Sequence, residues 1–175
     1  MPIINVPHLN GASVGYQSST TDPSKPTLVL IVPFTTTVDY YDIEFSNREL
    51  SDRVNLIAVE PLGHGSTRTK TENFTYWDSA IIFLQLLDAL GVKKTFVLGT
   101  SQGGWMGIRM ELLAPEKVSY CTLYPMPHLF PLRAVPNKPR SKVSFSLEHL
   151  WTTSPLEAVN WAVGMVPRLP LVWSS

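Results

Sequence analysis

Residues 99–103 read Gly99-Thr100-Ser101-Gln102-Gly103, a glycine-framed serine between an apolar run (Phe96-Val97-Leu98) and a helix-like pattern opening at Gly104-Trp105-Met106. Such spacing suits a strand that turns sharply into a helix, with its central residue in strained backbone geometry. The glycines have steric jobs: a Cβ at Gly99 or Gly103 would collide with the neighbouring strand and helix, and Gly104 lets the helix pack close. The turn would lift the Ser101 hydroxyl to the C-terminal edge of a sheet and the N-terminus of a helix. There, unpaired N–H groups and the helix dipole stabilise developing negative charge. The chemistry available to such a serine is attack on an acyl carbon, with the oxyanion held by backbone donors. The alternative is a tight glycine-rich turn that happens to contain a serine. No phosphate-loop Lys-Ser/Thr and no third spaced glycine accompanies the motif, which sets nucleotide binding aside.

The elements that must position Ser101 can be read from hydrophobic pattern. Ile3–Val6 and Ala12–Gln17 read as edge strands joined by a turn at Asn10-Gly11. Thr27–Val32, Val54–Val59, Thr95–Leu98 and Val118–Tyr124 are continuous apolar runs, the mark of parallel strands covered on both faces. Residues 39–50 are weakly helical. Thr75-Tyr76-Trp77-Asp78 has the form of a capping box, opening a helix with Ala80, Phe83, Leu84, Leu87 and Gly91 on one stripe and Gly91 past its C-cap. The helix after Ser101 should run to Leu113 and stop at Pro115. Alternating strands and helices predict an α/β fold with a mostly parallel sheet covered on both faces.

Composition bounds the rest. The chain has 175 residues, no net charge and a single cysteine, Cys121. That length suits one core. Neutrality gives no case for a nucleic-acid partner, and no apolar run reaches membrane-spanning length. The N-terminus has no basic region ahead of an apolar one, so the expected location is intracellular, cytoplasmic by default. Neither metal-ligand spacing nor a phosphate loop is present, so no cofactor or metal is expected. Beyond Tyr124 the character changes: more than half of the 15 prolines and three of the 5 tryptophans (Trp151, Trp161, Trp173) fall there. Two short helices, 145–151 and 156–163, can be drawn in it. The expected organisation is a core over 1–124 and a Pro/Trp-rich segment over 125–175, either a helical lid or an aberrant end that truncates the sheet.

The Ser101 turn, the stretch Glu60-Pro61-Leu62-Gly63-His64-Gly65 and the strand ending Pro33-Phe34-Thr35 together resemble the α/β-hydrolase superfamily. Within it they look most like fungal α/β-hydrolases encoded beside polyketide and toxin pathways. By position, the resemblance implies Ser101 as nucleophile and the backbone N–H of Gln102 as one oxyanion-hole donor. It places a second donor in the loop after Thr27–Val32: Phe34, since Pro33 has no N–H, or Thr35 as second choice. It implies a serine hydrolase, esterase- or thioesterase-like, acting on a small acyl ester. His64 invites a role as base, but a glycine-flanked histidine in this turn more commonly shapes the site. The chain departs from the family in its residue order, which should run serine, acid, histidine. Every aspartate precedes Ser101. The downstream acids are Glu111, Glu116, Glu148 and Glu157, and the downstream imidazoles are His128 and His149. None forms an acid–histidine pair of usable spacing, so the triad acid and histidine are unassigned. The other reading is therefore a non-catalytic relic or binding protein.

Overall fold

A computed structural model describes residues 1–124. The strands are β1 (Ile3–Val6), β2 (Ala12–Ser18), β3 (Thr27–Ile31), β4 (Asn55–Val59), β5 (Arg68–Thr69), β6 (Thr95–Thr100) and β7 (Val118–Tyr124). The helices are α1 (Asp42–Ser46), α2 (Arg48–Ser51), α3 (Tyr76–Ala89) and α4 (Gln102–Leu113). One sheet runs β1-β2-β4-β3-β6-β7, with β5 paired to β2 beside that path. The four strands expected to be parallel neighbours are so: β4 pairs β3, β3 pairs β6 and β6 pairs β7, each in parallel. The β1–β2 hairpin is antiparallel and joins the sheet through β2 against β4. Its connection is wider than a two-residue turn. A short 3-10 turn spans His8–Asn10, and Leu9, Asn10 and Gly11 all have positive φ.

Period-two alternation explains why β3 and β4 are buried at every position. Val29, Ile31, Ile57, Val59 and Val97 face one layer, where Phe83, Leu86 and Leu87 of α3 and Met106 and Met110 of α4 fill the core. Leu28, Leu30, Leu56, Ala58, Phe96 and Leu98 face the other, against Val38, Tyr41 and Leu50. With both faces covered, no position can be polar without a buried partner.

The helix punctuation follows the residues. The Asp78 carboxylate accepts from the Thr75 backbone N–H at 2.7 Å, the return half of a capping box. At the other end of α3, Gly91 has φ +73°, Val92 N–H donates to Leu87 O and Gly91 N–H to Asp88 O. That pair of bonds is a Schellman closure, and the left-handed residue it requires is glycine. β5 was not foreseen; it pairs Thr69 with Ala12 and Arg68 with Ser13. The expected unit 125–175, with its two helices and His128, Glu148 and His149, lies outside the described residues.

Candidate active site

β6 runs up to Thr100, and α4 begins at Gln102, so Ser101 alone makes the turn. Its backbone sits at φ 52°, ψ −117°, a conformation that L-residues adopt at a cost of about 1–2 kcal/mol. The expected roles of Gly99 and Gly103 hold. A Cβ on Gly99 would lie 2.3 Å from the backbone of Gly103 and Gly104, and one on Gly103 would lie 2.4 Å from Ile31 O. The elbow is thus squeezed between its own helix and the end of β3. Gln102 is the first residue of α4, so its N–H has no carbonyl a turn earlier to bond.

The end of β3 is fixed to the elbow by Tyr41. Its buried hydroxyl lies 3.0 Å from Ile31 O and 2.9 Å from Thr100 Oγ1. A carbonyl only accepts, so Tyr41 donates to Ile31 O and the Thr100 hydroxyl donates to Tyr41. Burial raises the Tyr41 pKa well above the ordinary tyrosine range, so this donor stays protonated.

Phe34 and Thr35 follow in the loop after β3. Phe34 is 65% exposed, and among the described residues nothing accepts its N–H. Thr35 has φ +61°, a left-handed value that a non-glycine residue rarely adopts. Its N–H is already committed, donating to His64 Nε2 at 3.3 Å. Of the two donors implied by the sequence, Phe34 is therefore the one with its N–H available. The Thr35 and Thr36 hydroxyls bond back to Phe34 O and Pro33 O at 2.7 and 2.9 Å and stiffen the loop.

His64 stands between that loop and α4. Besides Thr35 N it meets Gln102 Nε2 at 3.0 Å through Nε2, and Leu62 O at 3.2 Å through Nδ1. Its ring lies edge-on to Phe34, with centroids 5.8 Å apart. Both nitrogens are occupied, which leaves no lone pair for the Ser101 proton. The Gln102 amide oxygen accepts from the Tyr76 hydroxyl at 3.3 Å, tying in the first turn of α3. Arg109 on α4 stacks over the Tyr76 and Trp77 rings, 5.7 and 5.1 Å from their centroids, and braces the same pair of helices.

Sequence reasoning assigned no role to Glu60, which is fully buried. Its carboxylate accepts from Val38 N–H at 3.2 Å and Ser66 N–H at 2.7 Å, and its carbonyl accepts from the Thr67 hydroxyl. It clamps the His64-bearing turn to the segment after β3. Gly65 is required beside it, since a Cβ there would lie 2.0 Å from the carboxylate. The signal was present in the residues as an acid closing a buried apolar strand. His8 is the other described imidazole, and it meets Asp78 at 2.8 Å, pinning the hairpin to α3. Among the described residues no group of three or more His, Cys, Asp or Glu side chains could hold a metal ion, and no helix is long and apolar enough to cross a membrane.

With this geometry in place, likeness to known proteins can be weighed. A hydrolase from Pseudomonas aeruginosa is 27% identical and superposes with a TM-score of 0.62, over 74% of this chain and 48% of that one. A structure from a study of carboxylesterases of the thaumarchaeon Nitrososphaera gargenis is 28% identical, with a TM-score of 0.64, over 74% and 47%. A 2-heptyl-3-hydroxy-4-quinolone dioxygenase of Rhodococcus erythropolis, AqdC2, is 27% identical over 103 residues, 58% of this chain and 37% of that protein. The chain thus spans about half or less of the length of these relatives. The family model described as the alpha/beta hydrolase fold matches residues 26–145, more than half of the chain, and takes in β3, the His64 turn, the elbow and β7. By that match, and by the architecture it shares with solved hydrolases, the chain belongs to the alpha/beta hydrolase fold family.

Proposed function

We propose that the protein is a serine-nucleophile hydrolase, esterase- or thioesterase-like, acting on a small acyl ester. The reading rests on one observation: a serine held at φ 52°, ψ −117° between a buried parallel strand and a helix N-terminus. In this proposal Ser101 Oγ attacks the acyl carbon, and the carbonyl oxygen becomes an oxyanion. The Gln102 N–H, at the start of α4, and the Phe34 N–H, across from it, stabilise that charge. The acyl group passes to Ser101, the alcohol or thiol leaves with a proton, and water or a second alcohol completes hydrolysis or transfer.

Fungal secondary metabolism, beside polyketide and toxin pathways, is the proposed setting. Residues 1–124 would be the core and 125–175 a lid-like segment.

A second reading is favoured by the hydrogen bonds of the imidazoles. His64 has both nitrogens occupied and His8 is paired with Asp78, so neither described imidazole is free to serve Ser101 as base. Under that reading the chain is a non-catalytic relic or binding protein. An activity-based fluorophosphonate and a chromogenic short-chain ester, applied to this chain and to Ser101→Ala, separate the readings. Labelling and turnover that vanish in Ser101→Ala support the hydrolase; equal background signals support the relic.

A further inference from the structure

Two segments must stand at a fixed separation for an oxyanion hole to work: the loop carrying Phe34 and the first turn of α4 carrying Gln102. Both bond to one atom, His64 Nε2. The polarity of those bonds follows from backbone groups that have no choice. Leu62 O can only accept, so Nδ1 carries the hydrogen. Thr35 N–H can only donate, so Nε2 presents its lone pair. It follows that the Gln102 side chain turns its NH2 toward His64 and its oxygen toward the Tyr76 hydroxyl. One lone pair shared by two donors accounts for bonds of 3.0 and 3.3 Å.

We propose that His64, held neutral with its hydrogen on Nδ1, is a positioning residue that sets the spacing between the two walls of the oxyanion hole. The chain tyrosine–glutamine–histidine–backbone crosses four elements: the start of α3, the start of α4, the turn after β4 and the loop after β3. Glu60 holds its base in place through Ser66 and Val38. A proton on Nε2 would set N–H against N–H on both walls and open the hole. The same lone pair cannot take the Ser101 proton without releasing Thr35 and Gln102, so His64 positions and does not act as base. The catalytic consequence rests on the proposed nucleophilic role of Ser101; the tautomer rests on the two backbone bonds, and the spacing on those together with the Gln102 side-chain bond.

The test begins with the 15N-labelled chain at pH 7.5. In a long-range 1H–15N correlation spectrum, His64, assigned by the peak lost in His64→Gln, should show a bare Nε2 and a protonated Nδ1. The reverse tautomer would overturn the proposal. The second readout is amide exchange at Thr35, whose N–H donates to His64 Nε2. His64→Gln places a carbonyl oxygen where Nε2 stood and should stay within about threefold of wild type, while His64→Ala should exchange roughly tenfold faster. Wild-type exchange in His64→Ala would overturn the positioning role. Fluorophosphonate labelling then reads the consequence: a shift of one wall by about 1 Å should slow His64→Ala roughly a hundredfold, with recovery in His64→Gln. Equal labelling of wild type and His64→Ala would also overturn the role. If wild type itself fails to label, the nucleophile reading falls, and the tautomer and exchange results still decide the place of His64.

Discussion

Replacing Gly99 by alanine asks directly whether the elbow is as tight as its geometry requires. The added Cβ would lie 2.3 Å from Gly103 C, Gly103 O and Gly104 N, all backbone atoms. Ordinary contact begins near 3.4 Å, so α4 must retreat from β6 by about 1 Å or the strand must bend. No side chain can rotate away to absorb the change. Overpacking of this kind costs about 3 kcal/mol or more, the upper end for an inserted methyl, because the yielding group is a whole helix. Gly91→Ala is the control: nothing lies within 4 Å of its Cβ, and only φ +73° opposes it, which costs about 1–2 kcal/mol. Urea unfolding followed by circular dichroism, with a shared m-value, measures both. Gly99→Ala should lower the midpoint at least about one and a half times as far as Gly91→Ala, and its labelling by fluorophosphonate should fall about a hundredfold. A Gly99→Ala protein no less stable than Gly91→Ala would refute the steric account of the elbow.

Two further outcomes are expected. Tyr41→Phe strips partners from Ile31 O and from the buried Thr100 hydroxyl and should cost about 1–3 kcal/mol in urea unfolding; an unchanged midpoint would remove Tyr41 from the elbow's support. Burial pushes the Asp78 pKa up, but hydrogen bonds from Thr75 and His8 outweigh it and leave the carboxyl below its ordinary 3.8. The stability it contributes is complete above that ordinary value and is lost as the pH falls through the lowered, folded one. The gap in thermal midpoint between wild type and Asp78→Asn should therefore close as the pH falls below the carboxyl's ordinary 3.8; a gap that widens with acid would contradict the sign.

The central strands were legible because burial on both faces leaves an unbroken apolar run, and Thr27–Val32 can be little else. The elbow was legible because glycine at 99 and 103 with a serine between is a steric requirement written in residue types. β6 extends two residues past the apolar run Thr95–Leu98, since Gly99 and Thr100 pair with β7 on backbone terms that no side-chain pattern reports. β5 was illegible for a related reason: Arg68 and Thr69 carry no strand pattern, and only the fixed turn after β4 brings them to β2. The supports of the site were the least readable. Tyr41 and Thr100 are 59 residues apart, and His8 and Asp78 are 70 apart. A polar pair of that separation becomes visible only when the sheet brings it together. His64 stood out as a glycine-flanked imidazole, yet its part depends on bond polarity at Leu62 O and Thr35 N, which no spacing reveals.

In the proposed reaction Ser101 is the nucleophile, with the Gln102 and Phe34 N–H groups as its oxyanion donors. The most direct measurement is peptide mapping by mass spectrometry after fluorophosphonate treatment of the chain, with Ser101→Ala and heat-unfolded protein alongside. A single phosphonylated peptide modified at Ser101, absent from both controls, is expected. A Ser101 peptide that stays unmodified, or modification that persists in Ser101→Ala, would contradict it.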